Sequence, residues 1–121
     1  MLSLEISRIG CIRTGNAGCT LIELMPAYQA GLHGLQAGDR IQVLYWMHEL
    51  ARADRRNLQI HPGKDPNLPR RGVFSLRSCT RPNPIGISET TIIEVREHGL
   101  VVNTLDTFDG SPLIDIKVIA S

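Results

Sequence analysis

Aromatic residues make up only 4% of this chain, so its core has to be built from Ile, Leu and Val. No run of 18 or more apolar residues occurs, which excludes a membrane-spanning helix. Cysteine is scarce as well. Cys11, Cys19 and Cys79 make an odd count with no C-x-x-C spacing, so neither a zinc site nor an iron–sulfur cluster is expected. Unpaired thiols of this kind suit a reducing, cytoplasmic compartment. No G-x-G-x-x-G opens a helix, which fits a cofactor site of another design. Internal repeats and low-complexity tracts are absent. The N-terminal MLSLEISRIGCIRTG alternates and carries Glu5 and Arg8, so a signal peptide is not expected there.

What is present is period-2 alternation over a length, 121 residues, that suits one compact domain, expected over 1–121. Residues 4–12 and 19–25 read as strands. Pro26 opens a short helical piece, PAYQAGLHGL, which Gly31 and Gly34 keep short. RIQVLYWMHEL follows as a strand, with Ile41, Val43, Tyr45 and Met47 on one face and Leu44, Trp46 and His48 on the other. VFSLRS reads as a further strand, ISETTIIEVRE and LVVNTLD as a hairpin about His98-Gly99, and LIDIKVI as the last strand. The expectation is a mainly β chain of about seven strands with one or two short helices, closed as a barrel or packed as a sandwich. Residues 50–71 show no periodicity and hold Pro62, Pro66 and Pro69, so a long basic loop is expected there.

The net charge of +1 hides a polarity. From Arg52 to Arg81 there are eight basic residues against Asp54 and Asp65, whereas from Pro82 onward Arg96 and Lys117 face six acids. A basic middle segment suits an anionic partner, although a solvated basic loop has the same composition.

Within that segment RSCTRPNPIG, residues 77–86, is stiffer than a turn requires. Pro82 and Pro84 each fix φ and remove a donor, and Arg81 and Asn83 are held extended by the prolines that follow them. Such a rod costs little entropy to order and holds Arg77, Arg81 and Asn83 in fixed directions. Gly86 then permits a sharp turn or a close approach.

GVFSLRSCTRPNPIGIS, residues 72–88, resembles the signature of the TrmO family, also called YaeB or TsaA-like. It agrees at Gly72, Val73, Phe74, Arg77, Ser78, Arg81, Pro82, Asn83, Pro84, Ile85, Gly86 and Ser88, and departs at Cys79, where the family usually has proline. AYQAGLHGLQAGDRIQVLYWMH and LDTFDGSPLIDIK are similar to two further family segments, so the resemblance runs from residue 4 to residue 119. It implies a small β-barrel methyltransferase that binds S-adenosylmethionine, works as a homodimer with its site near the subunit interface, and methylates N6 of threonylcarbamoyladenosine at position 37 of tRNA. A cytoplasmic location goes with that substrate.

Carried onto this chain, the resemblance implies cofactor contacts from Phe74, Arg77, Ser78, Asn83, Pro84, Ile85, Gly86, Leu105, Asp106, Asp109 and Asp115. Arg77 suits the cofactor carboxylate, because guanidinium offers a planar fork of donors. Asp106 and Asp109 suit its ammonium or ribose hydroxyls, although an Asp-rich turn capping a strand end looks the same. His48 and Asn83 are the catalytic candidates, His48 as a general base. Arg52, Arg55, Arg56, Arg70, Arg71 and Arg81 suit an RNA backbone. No metal is implied.

Longer members carry a Pro-Arg-Gln-like segment after the first strand and an extra C-terminal domain. Here RTGNAGCTL, residues 13–21, holds the first place without an Arg-Gln pair. A relative that keeps the cofactor and acts on another substrate is therefore an alternative. AYQAGLHGLQAGDRI also resembles the carboxylate loop of PDZ peptide-binding modules, but that reading gives no reason for Arg-Pro-Asn-Pro-Ile-Gly.

Overall fold

The computed structural model describes residues 2–15, 17–49 and 55–120. It is mainly β. Among the described residues eight strands follow one another: β1 (Gly10–Thr14), β2 (Cys19–Leu24), β3 (Arg40–Trp46), β4 (Gln59–Ile60), β5 (Arg71–Gly72), β6 (Ile85–Arg96), β7 (Gly99–Asn103) and β8 (Ser111–Val118). Six of them close a barrel in the order β1-β2-β7-β6-β3-β8, and β4 pairs with β5 as a separate two-stranded ladder. Among the described residues no helix is long and apolar enough to cross a membrane.

The chain divides into two compact units. One holds the residues up to Trp46 together with those from Gly86 onward; the other is Met47–Ile85. The barrel unit has the aliphatic core that the composition demands. Ile12, Ile22, Ile41, Val43, Ile92, Leu100, Val102 and Leu113 are all buried, and between them they come from every barrel strand. Alternation places them inside, since every second side chain of a strand faces the same way. In β3 the buried positions are Ile41, Val43 and Tyr45, as the pattern predicts.

Two elements differ from the alternating pattern. The first strand begins at Gly10 rather than residue 4, with Leu4 83% and Ile6 51% exposed. Val73–Ser75 forms a 3-10 turn rather than a strand. Ser75 Oγ donates to the Gly72 carbonyl at 2.7 Å, and Arg71 reaches the Ser75 carbonyl at 2.9 Å, so local bonds satisfy this backbone in place of a ladder. The helical piece after Pro26 is a 3-10 helix, Pro26–Leu32.

The pairing of β3 with β8 carries a bulge. Val43 faces Ile116 and Leu44 faces Asp115, but Tyr45 faces Leu113, which leaves Ile114 as the extra residue. Directly paired residues share a face. Strict alternation from the buried Leu113 would turn Asp115 inward; the bulge instead gives that face to Ile116 and puts Asp115 with Leu44 on the outer one.

Candidate functional site

In the Met47–Ile85 unit, the proline elbow is braced from both sides. Arg81 Nε donates to the Ser78 carbonyl at 3.0 Å, and a terminal nitrogen of the same guanidinium donates to the Ile85 carbonyl. Arg55 Nε donates to the Pro82 carbonyl at 3.0 Å, with its second contact to Asn83 Oδ1 at 3.4 Å. The Met47 amide donates to the Pro84 carbonyl at 2.6 Å, and the Ile85 amide closes a tight turn onto the Asn83 carbonyl at 2.7 Å. Two prolines remove donors from this segment, and its carbonyls are satisfied by arginines and neighbouring amides instead. Arg55 and Arg81, both expected on RNA, thus spend several of their donors inside the protein.

The bracing leaves other groups outward. Phe74 is 85% exposed. Arg77 is exposed and makes no ion pair within 4.0 Å among the described residues. Asn83 is exposed and Pro84 is buried. His48 lies in the same unit with Nε2 at 3.3 Å from a Glu49 carboxylate oxygen. Arg56, Arg70 and Arg71 are exposed. Arg52 lies outside the described residues.

In the barrel unit the acidic turn between β7 and β8 is built on the β1–β2 hairpin. Leu105 is buried, and its amide donates to Thr20 Oγ1 at 3.0 Å. Asp109 Oδ1 accepts the Thr14 amide at 2.8 Å, and the Gly110 amide donates to the Ile12 carbonyl at 2.7 Å. Gly110 has φ +81, a left-handed backbone that suits glycine. Asp106 is exposed, whereas one oxygen of Asp109 is engaged in holding the turn. Asp115 Oδ1 accepts its neighbour's amide, Ile116, at 2.8 Å. Asp115 lines an outer cleft of about 540 Å³ with Tyr28, His33 and Asp39. No pattern in the sequence marked that cleft, because the bulge that turns Asp115 outward has no signature in the alternation.

A six-stranded closed barrel of this order, in a chain that also holds a braced Arg-Pro-Asn-Pro elbow, defines a small-barrel class unlike the doubly wound nucleotide-binding sheets. The chain belongs to the tRNA-methyltransferase O N-terminal domain family, whose model matches residues 12–120. It is 44% identical, over 79% of its length and 66% of the relative's, to an Archaeoglobus fulgidus protein named "S-adenosyl-L-methionine-binding protein". It is 36% identical, over 85% of its length and 82% of the relative's, to a Methanocaldococcus jannaschii protein named "Probable S-adenosyl-L-methionine-binding protein MJ1583". The crystal structure of TrmO from Pseudomonas aeruginosa superposes on 98% of the chain with a TM-score of 0.73 at 23% identity, a likeness of fold. The chain spans 57% of the length of that TrmO chain.

Proposed function

We propose that this protein is an S-adenosylmethionine-dependent methyltransferase acting on tRNA, at N6 of threonylcarbamoyladenosine in position 37. The observation that carries the reading is the family match over residues 12–120. Relatives named for binding S-adenosylmethionine support the cofactor. The residues present fit it chemically. An exposed guanidinium without an acid partner among the described residues, Arg77, suits a carboxylate, and an exposed carboxylate, Asp106, suits an ammonium or ribose hydroxyls. The open ring face of Phe74 suits a flat base.

When bound, the cofactor supplies a methyl group on a sulfonium, whose bond to sulfur breaks as the bond to the substrate nitrogen forms. The chain's part is to bind, orient and take up a proton. In this reading Arg77, Phe74 and the backbone of Ser78 and of Asn83 to Gly86 hold the cofactor. The family resemblance also assigns Leu105, Asp106, Asp109 and Asp115 to the cofactor. His48 accepts the proton lost from N6, and Asn83 orients the acceptor through its amide. Arg56, Arg70 and Arg71 carry RNA phosphates. The active species is a homodimer in the cytoplasm. A relative with the same cofactor and another substrate is the second reading, favoured by the short β1–β2 connection in place of the Pro-Arg-Gln segment.

The test is incubation of the protein with the cofactor and tRNA bearing threonylcarbamoyladenosine, followed by digestion and nucleoside mass measurement. A methyl added to that nucleoside is expected. An unmethylated nucleoside from a protein that binds the cofactor would favour the second reading.

A further inference from the structure

The Met47–Ile85 unit holds a second concavity. It is a cleft of about 580 Å³ whose lining includes Asn57, His61, Lys64, Arg70, Ser78 and Thr80. No carboxylate is among its described lining residues. Asp65, adjacent in sequence, turns Oδ1 onto the Asn67 amide at 2.9 Å. Neither Lys64 nor Arg70 makes an ion pair within 4.0 Å among the described residues. Positive charge is thus gathered in a concave space with no ion-paired acid among the described residues.

Three further features give the cleft a built character. Ser78 Oγ is buried and has no hydrogen-bond partner among the described residues. A buried hydroxyl without a partner is rare, and it asks for a ligand atom or an ordered water. His61 Nδ1 lies 2.8 Å from the Leu68 carbonyl, which only accepts, so Nδ1 carries the proton. In the neutral ring Nε2 is then an acceptor, and it receives Arg70 Nε at 3.4 Å, holding that guanidinium at the rim. Finally, Gly63 and Lys64 are both left-handed, with φ 62 and 60. A lysine is strained there, and such strain survives where the surroundings fix it.

We propose that this cleft binds a phosphate group. Lys64 supplies a point charge, Arg70 a fork of donors and Ser78 a hydroxyl donor, from three separate places in the chain. Donors from three separate positions on one lining suit a tetrahedral oxyanion. The phosphate comes either from a bound RNA backbone or from a free anion. Only the RNA source rests on the tRNA reading above.

The test follows backbone amide shifts of the isotope-labelled full chain during two titrations, one with inorganic phosphate and one with a tRNA transcript. The expected result is a saturable shift at residues 61, 63, 64, 70 and 78, lost in a Lys64→Gln/Arg70→Gln variant and weakened in Ser78→Ala. A response to tRNA makes the source an RNA phosphate. The logarithmic salt slope of tRNA binding should then fall by roughly 0.7 for each contact removed, and Lys117→Gln should leave it unchanged. A response to inorganic phosphate alone makes the source a free anion. Silence of these residues in both titrations overturns the proposal. Cofactor calorimetry on the same sample keeps the two readings apart: a silent cofactor titration beside a saturable phosphate shift removes the methyltransferase and leaves this site.

Discussion

A Cβ built on Gly86 would lie 2.3 Å from Cε2 of Tyr45, inside any tolerable carbon contact. Tyr45 is buried in β3, and its hydroxyl is held by Ser88 Oγ at 2.9 Å, so the ring has nowhere to retreat. Gly86 therefore serves close approach rather than a turn; it already lies within β6. Gly86→Ala should destabilise the protein by about 1–3 kcal/mol, as overpacking does. Urea denaturation checks this, with a lower midpoint and an unchanged slope expected.

The barrel strands were legible because a closed sheet imposes a strict inside and outside. Ile41, Val43 and Tyr45 are buried as their spacing says. The same signal misplaced the start of β1, since Leu4 and Ile6 alternate without any obligation to face a core. It also missed β4 and β5, each two residues long and too short to show a period. The elbow could be read as rigid from its prolines, but not the source of its bracing. Arg55 lies 27 positions from the carbonyl it holds, and nothing local marks that pairing. The role of Asp115 was similarly hidden, because a bulge of one residue reverses which of Asp115 and Ile116 faces inward.

Arg81 spans two carbonyls with two different nitrogens, a geometry that a lysine ammonium cannot copy. Arg81→Lys keeps the charge and loses the span. It should cost about 1–2 kcal/mol of stability by chemical denaturation. If bracing is its whole role, the salt dependence of tRNA binding stays at the wild-type slope.

Asp106 and Asp109 separate two roles within one turn. Asp109 holds the Thr14 amide, so Asp109→Ala should lower stability by about 1 kcal/mol as well as weaken the cofactor. Asp106→Asn should weaken cofactor binding while the thermal midpoint stays put. Paired melting curves and calorimetry on the two variants distinguish them; a shared loss of stability would mean that both carboxylates are structural.

His48 is proposed to take up a proton, so His48→Ala should slow methyl transfer by roughly 10²–10⁴-fold with cofactor affinity nearly intact. Single-turnover rates measure the step itself. An unchanged rate would remove His48 from the chemistry.

The reading as a whole stands on cofactor binding, and calorimetric titration of the wild type and of Arg77→Ala with S-adenosylmethionine tests it most directly. The wild type should bind one equivalent per chain, and the variant should lose at least about 1 kcal/mol of affinity, the worth of a charge-assisted bond. A wild type that gives no saturable heat with S-adenosylmethionine would contradict the account.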